Sequence, residues 1–250
     1  MKIRNLIQVG SIYSTNYGKC KILKYINACS VYVKFIDTGY KTWTYSSALK
    51  SGEVKDPFVP NIFNIGYIGK LLPKNYRKEY SLWRNMLQRC YDPKIYNKKQ
   101  CYLDCIVDSR WYNFSNFVED IHKMKNWNKK GYQLDKDLRI LGNKIYGKDF
   151  CSFVPVKINS LIPSKYSNKK SKFPVGITFN KNRYSVTVNK NTQCFYLGTF
   201  SNIESAIKVY SKEKIKHIRY LADLYKSELH PQVYSNLYNI TWKTLLERGE

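Results

Sequence analysis

Leu134-Asp135-Lys136-Asp137-Leu138 decides how this chain is read. Gly142-Asn143-Lys144, Tyr146, Cys151-Ser152-Phe153-Val154-Pro155 and Asn159 follow it. Together they predict two short strands and the start of a helix around two carboxylates and two asparagines. Asp135 and Asp137 stand two apart, so on a strand they face the same way. Two such carboxylates are candidate ligands for Mg²⁺ or another divalent ion, which prefers oxygen donors, and the metal could lower the pKa of a bound water. Lys136 lies between them. A general base must titrate near working pH, whereas free lysine titrates near ~10.4 and neighbouring carboxylates raise it further. Lys136 is therefore expected to be a poor base and a good phosphate contact. The competing reading is structural: Asp135 and Asp137 cap the turn and pair with nearby lysines.

The surrounding chain is strongly basic. Its 250 residues hold 43 Lys and Arg against 18 Asp and Glu, a net charge of +25. Residues 70–172 carry 23 basic and nine acidic side chains, more than half of that excess. A surface this positive repels itself unless a polyanion is present. There are also 23 Tyr, 11 Phe and 5 Trp. Basic groups bind phosphates and aromatic faces stack on bases, so a nucleic acid is the expected partner. The alternative is a solvated lysine-rich surface reflecting AT-rich coding. Cys20, Cys29, Cys90, Cys101, Cys105, Cys151 and Cys194 form no C-x-x-C pair. They exclude a zinc knuckle and read as reduced, mostly buried small residues. No nucleotide cofactor is expected. Met1-Lys2-Ile3-Arg4 opens no signal peptide, and no apolar run approaches the ~20 residues that span a bilayer. A cytoplasmic protein with no membrane contact is expected.

Outward from the central stretch, the expected fold class is α+β. Residues 1–56 read as a small β-barrel: Val31, Val33 and Phe35 alternate with Tyr32 and Lys34, and Asn16-Tyr17-Gly18, Asn27-Ala28 and Thr38-Gly39 are turns. Tyr17, Tyr32, Tyr40, Trp43 and Tyr45 give it aromatic side chains, for recognition or for core and edge cover. Residues 57–76, punctuated by Pro57, Pro60 and Pro73, read as a linker. The central domain, 77–164, adds helices near Lys78–Tyr91 and Ser115–Lys123. Trp83, Met86, Leu87 and Cys90 share one face of the first; Ser115 or Asn116 is the expected N-cap of the second. Residues 165–172, with Lys169 and Lys170, form a basic hinge. Residues 173–228 predict three strands and a helix from about Asn202 to Tyr225. Tyr184, Val186 and Val188 alternate with Arg183, Ser185, Thr187 and Asn189. The tail, 229–250, has no readable role.

Two resemblances follow. Gly176, the strand Arg183–Val188, Tyr196-Leu197-Gly198-Thr199-Phe200, and Glu204-Ser205-Ala206 with Tyr210 resemble the APETALA-type (ethylene-response-factor) DNA-binding domain, which phage homing endonucleases also carry. That resemblance implies a sheet in the major groove, with Arg183, Ser185, Thr187, Asn189, Tyr196 and Lys181 meeting DNA. Trp83, Met86, Arg89-Cys90-Tyr91, Trp111, Phe114, Phe117, Leu134–Leu138 and the Asn143-to-Asn159 pattern resemble the HNH (ββα-metal) nucleases in degenerate form. It implies Asp135 and Asn159 as metal ligands, with Asp137 a further candidate. Asp135, Lys136, Asp137 and Asn143 then form the candidate catalytic set, with Lys136 where a histidine base belongs and Cys151 in place of the structural asparagine. Arg84, Arg89, Lys169 and Lys170 are the central phosphate contacts. The implied function is a phage HNH-type homing endonuclease acting on double-stranded DNA in the cytoplasm of an infected bacterium, cutting or nicking it with a divalent metal. The alternatives are an inactive sequence-specific DNA-binding protein that regulates transcription, replication or host defence, and an RNA- or ribosome-associated protein.

Overall fold

Alternation builds the first sheet. Cys20, Ile22, Val31, Val33 and Phe35 point inward and are buried, while the residues between them face solvent. Strands β1 (Ile12–Thr15), β2 (Gly18–Asn27), β3 (Ser30–Phe35) and β4 (Lys41–Thr44) form an antiparallel meander in that order. The computed structural model describes residues 7–96, 102–162, 173, 176–191 and 193–247. Among them β1 and β4 do not pair, so the sheet is open rather than the expected barrel. The reason lies after β4. The chain turns into helix α1 (Ser46–Ser51), whose Leu49 joins the core. The backbone N–H of Asn16 reaches the carbonyl of Gly52 at 2.9 Å. A helix thus covers the core where a closing strand would lie.

Residues 57–76 are a packed strap. Tyr67 donates its N–H to Tyr112 at 2.9 Å. Gly66 lies where an added Cβ would meet Leu87 at 2.5 Å and Trp83 at 2.9 Å. Proline and glycine here mark close approach rather than slack. The strap and the meander belong to one compact unit, residues 1–87 with 109–117; residues 88–108 and 118–250 make a second.

Helix α2 (Arg77–Tyr91) buries Trp83, Met86, Leu87 and Cys90, the face its spacing predicts. Trp83 Nε1 donates to the Trp111 carbonyl at 2.6 Å. After the short helix α3 (Pro93–Tyr96), helix α4 spans Phe114–Lys123. Its cap corrects the expectation. Asn113 Oδ1 accepts from the Ser115 N–H at 2.9 Å. The Ser115 hydroxyl instead accepts from Lys70 and Leu71 and donates to the Ile68 carbonyl, pinning the strap. His122 stacks on Trp127 with centroids 4.2 Å apart.

In the second unit β5 (Ile106–Val107) runs parallel to β7 (Ile145–Tyr146), and β6 (Tyr132–Asp135) pairs antiparallel with β8 (Ser152–Pro155) before helix α5 (Val156–Asn159). Strands β9 (Ile177–Asn180), β10 (Arg183–Lys190) and β11 (Gln193–Phe200) form an antiparallel sheet with β10 central. Lys181 and Asn182, both at positive φ, make the two-residue turn between β9 and β10, the geometry that matches strand twist. Helix α6 (Ile203–Leu224), capped by Asn202, packs Ala206 and Tyr210 against this sheet. Helices α7 (Pro231–Tyr238) and α8 (Trp242–Glu247) complete the described chain. Among the described residues no helix is long and apolar enough to cross a membrane. The expected basic hinge, with Lys169 and Lys170, lies outside the described residues, as does Cys101. Cys20, Cys90, Cys105 and Cys151 are buried and in no disulfide, while Cys29 and Cys194 are exposed.

Two glycines separate conformational strain from crowding. Gly131 and Gly176 sit at φ +81° and +90°, but a Cβ on Gly131 meets nothing within 4 Å, whereas one on Gly176 meets the Thr187 carbonyl at 2.4 Å. Gly131→Ala should cost about 1–2 kcal/mol, the left-handed penalty alone. Gly176→Ala should cost a further ~1–3 kcal/mol of overpacking. Chemical denaturation checks this; equal losses would refute the close approach.

Candidate functional site: a lysine-centred hairpin and an open sheet

The β6–β8 hairpin registers Leu134 opposite Phe153 and Asp135 opposite Ser152. Leu134 and Phe153 are buried, and all four residues of β8 are enclosed. Strand β6 ends at Asp135. Its Oδ2 accepts from the backbone N–H of Asp137 at 3.0 Å and of Leu138 at 2.6 Å, so the carboxylate itself turns the chain. Asp137 therefore lies in the turn, not one pleat further along the strand. The turn still brings the two carboxyls within hydrogen-bonding reach of each other.

Lys136 is the centre of this turn. The residue is only 9% exposed. Its Nζ donates to Asp137 Oδ2 at 3.2 Å and to the Asn143 carbonyl at 3.4 Å, and lies 5.9 Å from the Tyr146 ring centroid. Burial favours the neutral amine, but Asp137 and the other anionic groups outweigh it and hold the pKa above its ordinary value. Lys136 is a fixed ammonium. Arg89 hydrogen-bonds the Tyr146 hydroxyl and lies over the Tyr102 ring at 5.6 Å. Arg84 lies over Phe63 at 5.4 Å.

Asn143 clamps the loop. Its Nδ2 donates to the carbonyls of Lys136 at 2.6 Å and Ile145 at 2.7 Å, and its Oδ1 accepts from the Ile145 N–H at 3.1 Å. With every polar atom spent on backbone, Asn143 holds the loop rather than reacting. It fills the structural role that the resemblance placed at Cys151. That thiol accepts from the Gly147 N–H at 3.4 Å and is pushed by burial to about 12, so it is inert. Asn159 does not join Asp135: its Nδ2 donates to Gln133 Oε1 at 2.9 Å, one pleat back along β6.

These residues fit a divalent metal poorly. A hard cation wants six or more oxygens. Asp135 has one oxygen committed to two amides, Asp137 faces an ammonium, and Asn159 is elsewhere. Among the described residues no group of three or more His, Cys, Asp or Glu could hold a metal. The positive charge that such a site would bind is already supplied by Lys136.

Sequence reasoning missed the tail. Leu229, Val233, Leu237, Ile240 and Leu245 share a core with Leu138, Val154, Ile158 and Leu161. Asn236 donates to the carbonyls of Leu138 and Arg139, both at 3.0 Å. Arg139, Asp149, His230, Gln232 and Asn236 line an open pocket of about 490 Å³ beside this loop. His230 caps α7, its Nδ1 accepting from the Gln232 N–H at 3.2 Å. The spacing 229, 233, 237 was the available signal, a helical stripe begun by His230-Pro231.

The second candidate surface is the uncovered face of β9–β11. Val186 and Val188 are buried beneath α6, Tyr184 is half-buried, and Arg183 and Asn189 are exposed. Ser185 pairs with Thr178 and Thr199, Thr187 with Tyr196, and Asn189 with Cys194. The register shifts at Val186/Thr187, opposite Gly198 at φ +128°. That bulge turns Tyr196, 65% exposed, onto the same face as Thr199, whose hydroxyl it hydrogen-bonds. Lys181 stands exposed at the hairpin tip. The structure thus groups Arg183, Ser185, Thr187, Asn189 and Tyr196 on one side of the sheet, with Lys181 at its hairpin tip.

Burial, then Asp137, raises the Asp135 carboxyl to about 7, against ~3.9 for an exposed aspartate. An acid whose pKa rises on folding supports the fold below its unfolded pKa, and that support is lost as pH climbs through the folded value. Asp135→Asn keeps the acceptor for both amides and removes the charge. It should leave stability nearly unchanged near pH 4 and raise it by roughly 4 kcal/mol at pH 8. Denaturation at both pH values checks this. At pH 8, Mg²⁺ should leave the melting temperature of either protein unchanged; stabilisation of wild type alone would place a cation at Asp135. Comparison with family models, with known proteins and with solved structures returns no match.

Proposed function

We propose that this protein binds double-stranded DNA and that the open face of β9–β11 reads the sequence. The observation that carries this reading is the two-sided sheet: α6 covers one face, while Arg183, Ser185, Thr187, Asn189 and Tyr196 share the other. Arginine can give two hydrogen bonds to a guanine edge, and small polar groups suit other edges. The net charge of +25 supplies the sequence-independent attraction. Phosphate contacts then position the protein while base contacts specify the site. In this reading the degenerate hairpin is a scaffold carrying buried positive charge near its surface, and the protein acts by occupying DNA, as a regulator of transcription, replication or host defence.

Metal-dependent cleavage in the manner of HNH nucleases is the second reading. One observation favours it: an Asp135 carboxyl near 7 has the titration range of a general base. Lys136 opposes it, because its ammonium lies where a metal would sit.

Affinity for a duplex selected from genomic fragments should fall with salt by about 0.9 log units per log unit of salt for each phosphate neutralised. Arg183→Ala should cost about 1–3 kcal/mol on the preferred duplex and flatten the preference between sequences. Undiminished selectivity would remove the sheet as reader. Supercoiled plasmid with Mg²⁺ or Mn²⁺ should stay intact; nicking that is lost in Asp135→Ala would establish the second reading.

A further inference from the structure

The solvent face of the β1–β4 meander carries an arrangement that the fold does not need. Register places Lys21 directly opposite Lys34, and Lys34 directly opposite Lys41, across three adjacent strands. Beyond a register shift between Ile22 and Lys24, the next row is Lys24, Tyr32 and Trp43. Tyr32 and Trp43 are in ring contact at 4.9 Å, and Trp43 is 52% exposed. Strands are about 4.8 Å apart, so the lysine row spans roughly 10 Å. Like charges directly opposite one another on a sheet destabilise it. Yet none of Lys21, Lys24, Lys34 and Lys41 has a hydrogen-bond or ion-pair partner among the described residues. The inward side chains Cys20, Ile22, Val31, Val33 and Phe35 already supply the core. The outward lysines are therefore not needed for the core, and the Trp43 ring packs only on its neighbour Tyr32 with half its surface exposed.

We propose that this face binds single-stranded nucleic acid, with bases stacked on Trp43 and Tyr32 and phosphates on Lys21, Lys34 and Lys41. Charge complementarity selects a polyanion, since three unpaired ammonium groups in a row match a chain of phosphates. The exposed Trp43 ring, backed by half-buried Tyr32, selects a single strand, because only unpaired bases offer their faces for stacking. Thr42 and Thr44 pair with Val33 and Val31 on the inward side, and the outward positions of the two rows hold no acidic side chain. The face is made by residues 12–44 alone. It is independent of the β9–β11 sheet and does not rest on the reading of that sheet.

The test uses the full-length protein, a fluorescein-labelled oligothymidylate of about fifteen nucleotides, and the selected duplex. Anisotropy gives both affinities, and circular dichroism checks the fold of each variant. The triple substitution Lys21→Gln, Lys34→Gln, Lys41→Gln removes like-charge neighbours, so it should melt no lower than wild type. It should weaken oligothymidylate binding by about tenfold or more. Trp43→Ala should weaken it by about tenfold, and Trp43→Phe should restore most of the loss, because stacking needs an aromatic face rather than an indole. Both changes should leave duplex selectivity intact, whereas Arg183→Ala should do the opposite. Oligothymidylate binding that is absent in wild type, or equal in wild type, Trp43→Ala and the triple variant, overturns the inference. Loss of duplex binding with these single-strand effects preserved would instead overturn the reading of the C-terminal sheet.

Discussion

Helix α6 is the constraint on which the second unit depends. Its N-terminal half presents Ala206 and Tyr210 to the β9–β11 sheet, and its C-terminal half presents Ile218, Leu221 and Ala222 to the core shared with the β6–β8 hairpin and the tail. One apolar stripe of 22 residues therefore serves two separate cores. A helix this long extends about 33 Å at 1.5 Å per residue, which gives it room for both. Lys190 of β10 adds an ion pair at 2.7 Å to Glu213, between the two stretches. The uncovered sheet face exists because α6 takes the other one. The turn at Asp135 is held because Leu138, the residue that closes it, is buried in the helix's second core.

Electrostatics explains why the hairpin carries Lys136 where a metal site was expected. Burying a carboxylate disfavours its charged form unless opposite charge compensates. Asp135 and Asp137 approach each other, and the compensation comes from an ammonium fixed by Asp137, the Asn143 carbonyl and the Tyr146 ring. The result is a closed set of partners. Asn143 is part of that closure, since its amide holds the backbone on both sides of the loop. A divalent ion would have to displace Lys136 and release Asp135 from two backbone amides. That is a large reorganisation for a turn built on those contacts.

Where the sequence repeats a period, it is legible. Arg183–Asn189 alternates cleanly because one face packs on α6 and the other does not, and the second and third strands and the long helix fall where period two and period 3.6 place them, whereas the first strand, expected over 173–177, is Ile177–Asn180. Trp83, Met86, Leu87 and Cys90 are legible for the same reason. What period cannot show is closure. The first sheet reads as a barrel until α1 is seen to cover its core with Leu49. Nor can period show who receives a hydrogen bond: Asn113 rather than Ser115 caps α4, and Asn159 pairs with Gln133 rather than approaching Asp135. The tail was hidden because its stripe of Leu229, Val233 and Leu237 spans barely two turns and finds its partner far away in sequence.

The two uncovered sheet faces obey the same geometry and differ in chemistry. Each has an apolar side committed to a core, so every second residue is released from packing. On β2–β4 those released positions hold lysines and an aromatic pair; on β10 and β11 they hold one arginine, small hydroxyl and amide groups, and a tyrosine. A lysine is a mobile point charge that does not discriminate between sequences, and a ring stacks on any base. Arginine, serine, threonine and asparagine present directed hydrogen bonds, which are the groups that distinguish one base edge from another. On our proposals the β1–β4 face grips without choosing and the β9–β11 face chooses. The division follows from what each sheet's released residues can donate, and it needs no chemistry at the hairpin.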